Sequence, residues 1–100
     1  GGDTHGPRKM TLLMYASESG NVRLVKGLLA RKVDVNVRDT AGDTAAHHAF
    51  RNRNREIGDL LVLKGGADVT IANKEGVTVL QEQTEMFRVM IENGEVDPDE

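Results

Sequence analysis

Several residue types are scarce or missing in this chain of 100 residues. It has no cysteine and no tryptophan, and its aromatic residues are Tyr15, Phe50 and Phe87. Without cysteine, neither disulfides nor a cysteine-based zinc site can stabilise the fold. Three aromatic residues are also too few for the stacking platform with which proteins bind single-stranded nucleic acids.

Long hydrophobic runs are missing as well. No apolar run approaches the roughly 20 residues that a transmembrane helix needs. No basic start followed by an apolar stretch and a small-residue cleavage site marks a secretory signal. From these absences we expect no membrane span and a cytoplasmic or nuclear protein.

Charge is present but unevenly distributed, with a net value of −3. Through Arg55 the chain has ten Lys or Arg and five Asp or Glu, whereas from Glu56 onward it has three and eleven. Ordinary solvated helix faces can produce such a split by chance. The functional alternative is that the basic half steers a partner with acidic groups, which raises the association rate more than the affinity.

The stretch 11–37 has the pattern of two short helices packed back to back. Thr11 is a suitable N-cap for the first helix, Gly20 ends that helix, and Asn21 is a suitable N-cap for the second. Neither helix would be stable alone, because each has fewer than about 12 residues and buries one face only. The second helix carries its apolar residues at helical spacing: Val22, Val25, Leu28 and Leu29.

This unit recurs along the chain. The segment 34–36 (DVN) returns as 68–70 (DVT), 34 residues later, and Thr11 returns as Thr44 and Thr78. A period near 33 with two helices in each unit indicates a repeat array, in which every unit packs mainly on its neighbours.

Two segments, 39–44 (DTAGDT) and 73–78 (NKEGVT), carry glycine at the same offset before a predicted helix. With these turns, the helix pairs and the period, residues 8–97 resemble the ankyrin repeat family. The resemblance implies an all-α solenoid of stacked helix–turn–helix units with short hairpin-like turns. It divides the chain into a disordered start or cloning remnant at 1–7, repeats at about 8–37, 38–71 and 72–97, and an acidic tail at 98–100.

The third repeat is shortened. Thr78 and Gly94 are 16 residues apart, whereas the matching positions of the first repeat, Thr11 and Lys32, are 21 apart. We therefore predict that its first helix shrinks to one or two turns before a sound last helix. The predicted helices are Thr11–Ser19, Asn21–Ala30, Thr44–Asn52, Asn54–Lys64 and a final one near Thr84–Asn93.

Two core features depart from the family pattern. Ala46 stands where the family has leucine, and Phe50 stands where it has a small alanine. Since the two lie four residues apart on one helix face, we infer that they have exchanged volumes and that Phe50 is buried.

Gly27 interrupts the second helix of the first repeat, either because another helix approaches closely or as a tolerated local weakness.

Little in the sequence indicates chemistry. His47 and His48 are adjacent, so on a helix they diverge by about 100° and cannot bind one metal from one face. His47 matches the family's structural histidine, whereas His48 and Tyr15 fall on outward, variable positions. No Ser–His–acid arrangement and no Gly-rich phosphate loop is present. We predict no enzyme, no metal and no cofactor.

The resemblance implies a module that binds another protein through its turn tips and concave helix face. We expect that partner to carry acidic groups. A less favoured alternative is nucleic-acid association through the cluster Arg51, Arg53 and Arg55. We also expect self-association through exposed repeat ends, with Leu12, Leu24 or Met14 turned outward. The expected partner-binding residues are Arg8, Lys9, Tyr15, Glu18, Ser19, Thr40, Ala41, Asp43, His48, Arg51, Asn52, Lys74, Glu75 and Val77.

Overall fold

The computed structural model describes residues 10–95, which form five helices and no strand. This confirms the predicted all-α class. Arg8, Lys9, the start at 1–7 and the tail at 98–100 lie outside the described residues. None of the helices within residues 10–95 is long and apolar enough to cross a membrane. The helices are α1 (Leu12–Ser19), α2 (Val22–Ala30), α3 (Ala45–Arg51), α4 (Arg55–Leu63) and α5 (Val79–Glu92).

The recurring threonines begin the helices of the first layer. The side chains of Thr11, Thr44 and Thr78 accept hydrogen bonds from the peptide N–H three residues on, at 3.1, 3.4 and 3.1 Å. In return, the side chain of the residue three positions on accepts a hydrogen bond from the threonine N–H, which completes a capping box. The returning acceptors are Met14 Sδ, His47 Nδ1 and Gln81 Oε1.

The helices stack in two layers. α1, α3 and α5 form one layer, in which each helix packs on the next, and α2 and α4 form the other. Leu13 of α1 and Val25 of α2 are buried in the core. Of the three alternatives expected to turn outward, Leu12 does so and is 56% exposed, whereas Leu24 is half-buried. Met14 is buried, because its side chain is bent back to the Thr11 N–H.

Phe50 is buried, as predicted, and so is Ala46 on the same helix. The ring of Phe50 lies against Gly58 of α4, where an added Cβ would come within 2.3 Å of the ring carbon Cε1. The absence of a side chain at Gly58 therefore provides space for this ring. At Gly27, by contrast, no atom lies within 4 Å of an added Cβ. No helix approaches it closely, so Gly27 is a local weakness of α2.

The third repeat differs from the prediction. Instead of a short helix followed by a separate one near Thr84–Asn93, residues 79–92 form the single helix α5. The missing residues remove the loop that would separate two helices, and no glycine or proline interrupts this stretch. α5 packs against α3 and has no comparable contact with α4. Up to residue 95, where the described part of the chain ends, the last unit is thus one helix in the first layer, with no counterpart in the second.

Candidate functional site

The first candidate element is the turn 39–43, whose backbone is held by the Asp39 carboxylate. Asp39 Oδ1 accepts the peptide N–H groups of Ala41 and Asp43, both at 2.9 Å. The Asp39 N–H also donates to the carbonyl of Asp43 at 2.9 Å. One side chain therefore accepts the hydrogen bonds of the peptide N–H groups inside the turn, and Thr40 and Ala41 are left exposed at its tip.

The turn 73–77 repeats this arrangement with asparagine in the same place. Asn73 Oδ1 accepts the N–H groups of Glu75 and Val77, both at 2.9 Å, and the Asn73 N–H donates to the carbonyl of Val77. Lys74 and Glu75 are exposed at the tip. Two turns of equal geometry are thus presented 34 residues apart.

The two turns are bonded to each other. The Lys74 N–H donates to the carbonyl of Ala41 at 3.0 Å, and Asn73 Nδ2 donates to Asp43 Oδ1 at 2.8 Å. Gly42 has a φ of 84°, and a Cβ there would lie 2.9 Å from the Lys74 nitrogen. Glycine is therefore required at position 42 both by its backbone conformation and by the approach of the next turn.

His47 connects α3 to the second turn. Its Nδ1 accepts the Thr44 N–H at 2.9 Å, and its Nε2 lies 2.9 Å from the carbonyl oxygen of Val77. Because a peptide N–H can only donate and a carbonyl can only accept, the ring is neutral with its hydrogen on Nε2. This confirms the structural role predicted for His47.

His48 is buried, 3% exposed, so its expected place on the outward surface is wrong. Its Nε2 lies 3.0 Å from Asp39 Oδ2, and its Nδ1 lies 3.5 Å from Glu18 Oε2 of α1. The second oxygen of Asp39 is not used inside its own turn, and it holds the ring inward. His48 thereby connects the first repeat to the first turn and is unavailable to a partner.

Asp43 is also buried, 4% exposed, and the expectation of a contact residue is wrong here too. Its carboxylate accepts two hydrogen bonds from Arg51, at 2.9 and 3.1 Å, and one from Asn73. Burial by itself would raise the pKa of this carboxyl, but the hydrogen bonds from Arg51 and Asn73 and the charge of Arg51 lower it below its ordinary value. Asp43 therefore stays ionised and joins α3 to both turns.

The arginine cluster is paired with carboxylates. Arg51 is bonded to Glu82 as well as to Asp43, with its Nη2 2.6 Å from Glu82 Oε2. Arg53 lies 3.4 Å from Glu95, and Arg55 lies 3.7 Å from Asp59. Arg55 also lies over the ring of Phe87 at 5.0 Å. The three arginines are thus already paired with carboxylates of the same chain, and this competes with contacts to the phosphates of a nucleic acid.

Asp39, Asp43 and His48 are the one group of side chains within residues 10–95 that brings three potential metal ligands within 4.8 Å of one another. Both oxygens of Asp43 receive hydrogen bonds from Arg51, and Asp39 Oδ1 receives two peptide N–H groups. A cation here would displace these donors and would be repelled by the guanidinium of Arg51. The geometry is that of an internal polar network that supports the turns.

The remaining expected residues fall into two groups. Tyr15, at 51% exposure, is an aromatic side chain open to solvent on α1. Glu18 and Val77 are half-buried, while Ser19, Thr40, Ala41, Asn52, Lys74 and Glu75 are exposed. Sequence reasoning did not single out Asp39 and Asn73 as the residues that position the tips. Their place three residues before a glycine, twice at a 34-residue interval, is the signal that could have identified them.

Comparison with known proteins is consistent across sequence and structure. A family model described as ankyrin repeats, in three copies, matches residues 2–73. An ankyrin repeat protein of fowlpox virus is 40% identical over 72 residues, which cover 71% of this chain and 21% of the viral protein. An ankyrin repeat protein of Rickettsia bellii is 33% identical over 75 residues, which cover 69% of this chain and 44% of its own length.

Longer proteins share the same region. An ADP-ribosylation factor GTPase-activating protein of Arabidopsis thaliana is 36% identical over 76 residues, which cover 76% of this chain but only 10% of that protein. The crystal structure of yeast ribosomal protein Rps3 in complex with its chaperone Yar1 contains a chain with the same fold. It superposes with a TM-score of 0.76 at 24% identity and covers 95% of this chain and 73% of that one.

Proposed function

Because the chain belongs to the ankyrin repeat family, we propose that it is a non-enzymatic module that binds a partner protein through its turn tips and concave helix face. Ankyrin repeats typically mediate protein–protein interaction and carry out no catalysis. The observation that supports this function most is the pair of bonded turns, which presents Thr40, Ala41, Lys74 and Glu75 together.

These tips suit binding because they are held before a partner arrives. The Asp39 and Asn73 side chains satisfy the interior of each turn, and the bond from Lys74 to Ala41 joins the two turns. A surface that is already ordered loses little conformational freedom on binding, so more of its interaction energy contributes to affinity. Tyr15 adds an exposed aromatic side chain, of the type that often dominates binding energy at interfaces.

We further propose that the partner carries acidic groups. Arg51 does not support this proposal, since Asp43 and Glu82 already occupy its guanidinium. The support comes from Lys74 at the second tip and Arg38 beside the first, both exposed and without an ion pair among the described residues. A partner carboxylate can approach either side chain without breaking an internal contact.

The experiment begins with affinity purification and cross-linking mass spectrometry, which identify the partner and the contact face together. Binding of that partner is then measured for Lys74→Glu and Tyr15→Ala, with Arg23→Glu on α2 as a matched control of equal charge change. We expect the first two variants to bind at least about tenfold more weakly, and Arg23→Glu to bind normally. A partner whose affinity is unchanged by Lys74→Glu and by added salt would disprove the proposed face.

Nucleic-acid association remains the alternative, although the pairing of Arg51, Arg53 and Arg55 with carboxylates counts against it. Fluorescence anisotropy with random duplex and single-stranded oligonucleotides tests it directly. Micromolar binding at physiological salt would overturn our preference for a protein partner.

The end of the array at α1 and α2 is a second surface for association. Leu12 lines a shallow groove of about 240 Å³ with Val33 and Val37, which are 36% and 38% exposed. Apolar side chains of this kind are normally covered by a neighbouring repeat. We propose that another repeat or a partner protein covers this end.

A further inference from the structure

The outer face of α4 carries two leucines where a helix of the second layer normally meets water. Leu63 is 79% exposed, the highest value for a large hydrophobic side chain within residues 10–95, and Leu60 is half-buried. Both line a shallow groove of about 200 Å³ together with Glu56, Asp59 and Lys64. The face continues toward α2 in a groove of about 560 Å³ that Leu60 and Lys64 share with Lys26, Leu29 and Ala30.

The charges on this face have a particular order. Glu56 and Lys64 are eight residues apart, so they lie about 12 Å apart along the helix axis, with Leu60 midway. Among the described residues, Glu56 and Lys64 take part in no ion pair and no side-chain hydrogen bond. Asp59, the other acidic residue of this groove, is already paired with Arg55. The face is therefore negative at the start of α4, apolar in the middle and positive at the end.

We propose that this face binds a second copy of the chain, with the two α4 helices antiparallel and Leu60 at the twofold axis. In that arrangement Glu56 of each copy lies beside Lys64 of the other, and the leucines pack in the middle. A twofold interface brings the same surface together from both subunits, so it requires a self-complementary pattern. The order of charges around Leu60 has this property.

Other occupants fit the same face less well. An acidic segment of a different protein would pair with Lys64 and Lys26 but would place its carboxylates near Glu56 and Asp59. A basic segment would have the opposite mismatch at the end of the helix. A second copy satisfies both ends with one arrangement, and each pairing occurs twice.

The expected association is weak. A helix of nine residues presents a contact far below the roughly 1,200 Å² buried in stable interfaces. We therefore expect a dimer that forms at high concentration and dissociates on dilution. This inference is independent of the partner-binding proposal, because it uses α4 and none of the turn tips.

Sedimentation velocity of the full chain from about 10 μM to about 1 mM tests the proposal. We expect a concentration-dependent monomer–dimer equilibrium for the wild type. Glu56→Lys and Lys64→Glu should each weaken it by about tenfold or more, because each change turns two attractive pairs into two repulsive ones. An equimolar mixture of the two variants should restore association, since every pair is again attractive in the mixed dimer.

Two further variants distinguish this face from others. Leu63→Gln should weaken the dimer without loss of folding, because its side chain is largely in water in the monomer, and circular dichroism checks the fold of every variant. Lys74→Glu on the turn tip and Leu12→Gln at the end of the array should leave the dimer intact. A monomer at the highest concentration, a dimer that depends on Leu12 and not on Leu63, or a variant mixture that associates no better than its components would each overturn the proposal.

Discussion

The ring of Phe50 and the backbone of Gly58 are in direct contact across α3 and α4, with the ring in the space that a side chain at position 58 would occupy. A bulky residue in α3 is therefore matched by the smallest residue in α4. This pairing explains how the fold holds a phenylalanine where the family pattern has alanine.

Gly58→Ala should destabilise the protein, although alanine favours helix more than glycine. The added methyl group would lie about 2.3 Å from the ring, and such overpacking costs roughly 1–3 kcal/mol. Gly27→Ala is the matched control, because it also lies inside a helix but in open space. It should stabilise the protein by about 0.5–1 kcal/mol. Urea denaturation measures the free energy of unfolding, which should fall for Gly58→Ala and rise for Gly27→Ala. A Gly58→Ala variant more stable than the wild type would contradict the packing of Phe50 against Gly58.

Phe50→Ala should leave a cavity in the core and lower the free energy of unfolding by roughly 3–5 kcal/mol. If Ala46 and Phe50 have exchanged volumes, the double variant Ala46→Leu with Phe50→Ala should recover part of this loss. Equilibrium denaturation of the single and the double variant is the measurement. A cost below about 1 kcal/mol for Phe50→Ala would rule out its role in the core.

Asp43 should make the fold sensitive to acid. Its pKa is lower in the folded chain than the ordinary value of 3.8, so it stabilises the fold above that pH, and the contribution is lost as the pH falls through the folded value. Asp43→Asn should therefore be less stable than the wild type at neutral pH. It should also lose less stability between about pH 5 and pH 2.5. Thermal unfolding as a function of pH measures how steeply stability falls in the wild type and in Asp43→Asn. Equal slopes would show that Asp43 contributes nothing to the acid sensitivity of the fold.

Asn73→Asp should destabilise the chain even though Asp39 occupies the equivalent place in the first turn. Asn73 Nδ2 donates to Asp43 Oδ1 at 2.8 Å, and an aspartate would bring a second carboxylate to that distance. Asp39 avoids this conflict because its second oxygen faces His48. We expect a cost of roughly 1–3 kcal/mol at neutral pH that shrinks as the carboxylates are protonated. Asn73→Asp as stable as the wild type at pH 7 would show that the link between the turns is dispensable.

The features predicted correctly are those that depend on near neighbours. The predicted cap at Thr11 acts on the residue three positions away, so local sequence reveals it, and the recurrence of this residue as Thr44 and Thr78 marks the positions of the same cap at α3 and α5. The inward position of His48 depends instead on Asp39 nine residues earlier and Glu18 in another repeat, contacts that no local pattern specifies.

The single helix α5 is a different kind of error. Division of the third repeat into two helices followed the family register, whereas the uninterrupted helix-forming residues of 79–92 already favoured continuity. The buried place of Asp43 could not be read from the sequence, because it depends on Asn73, which lies 30 residues later.

The single helix of the last unit also gives the stack a direction. At the α1–α2 end, a further unit would meet a helix of each layer and could continue both. At the α5 end it would find the first layer continued by α5 and, within residues 10–95, no second-layer helix beside it. The two ends of the described array therefore differ, and the molecule is polar in the way that a filament is polar.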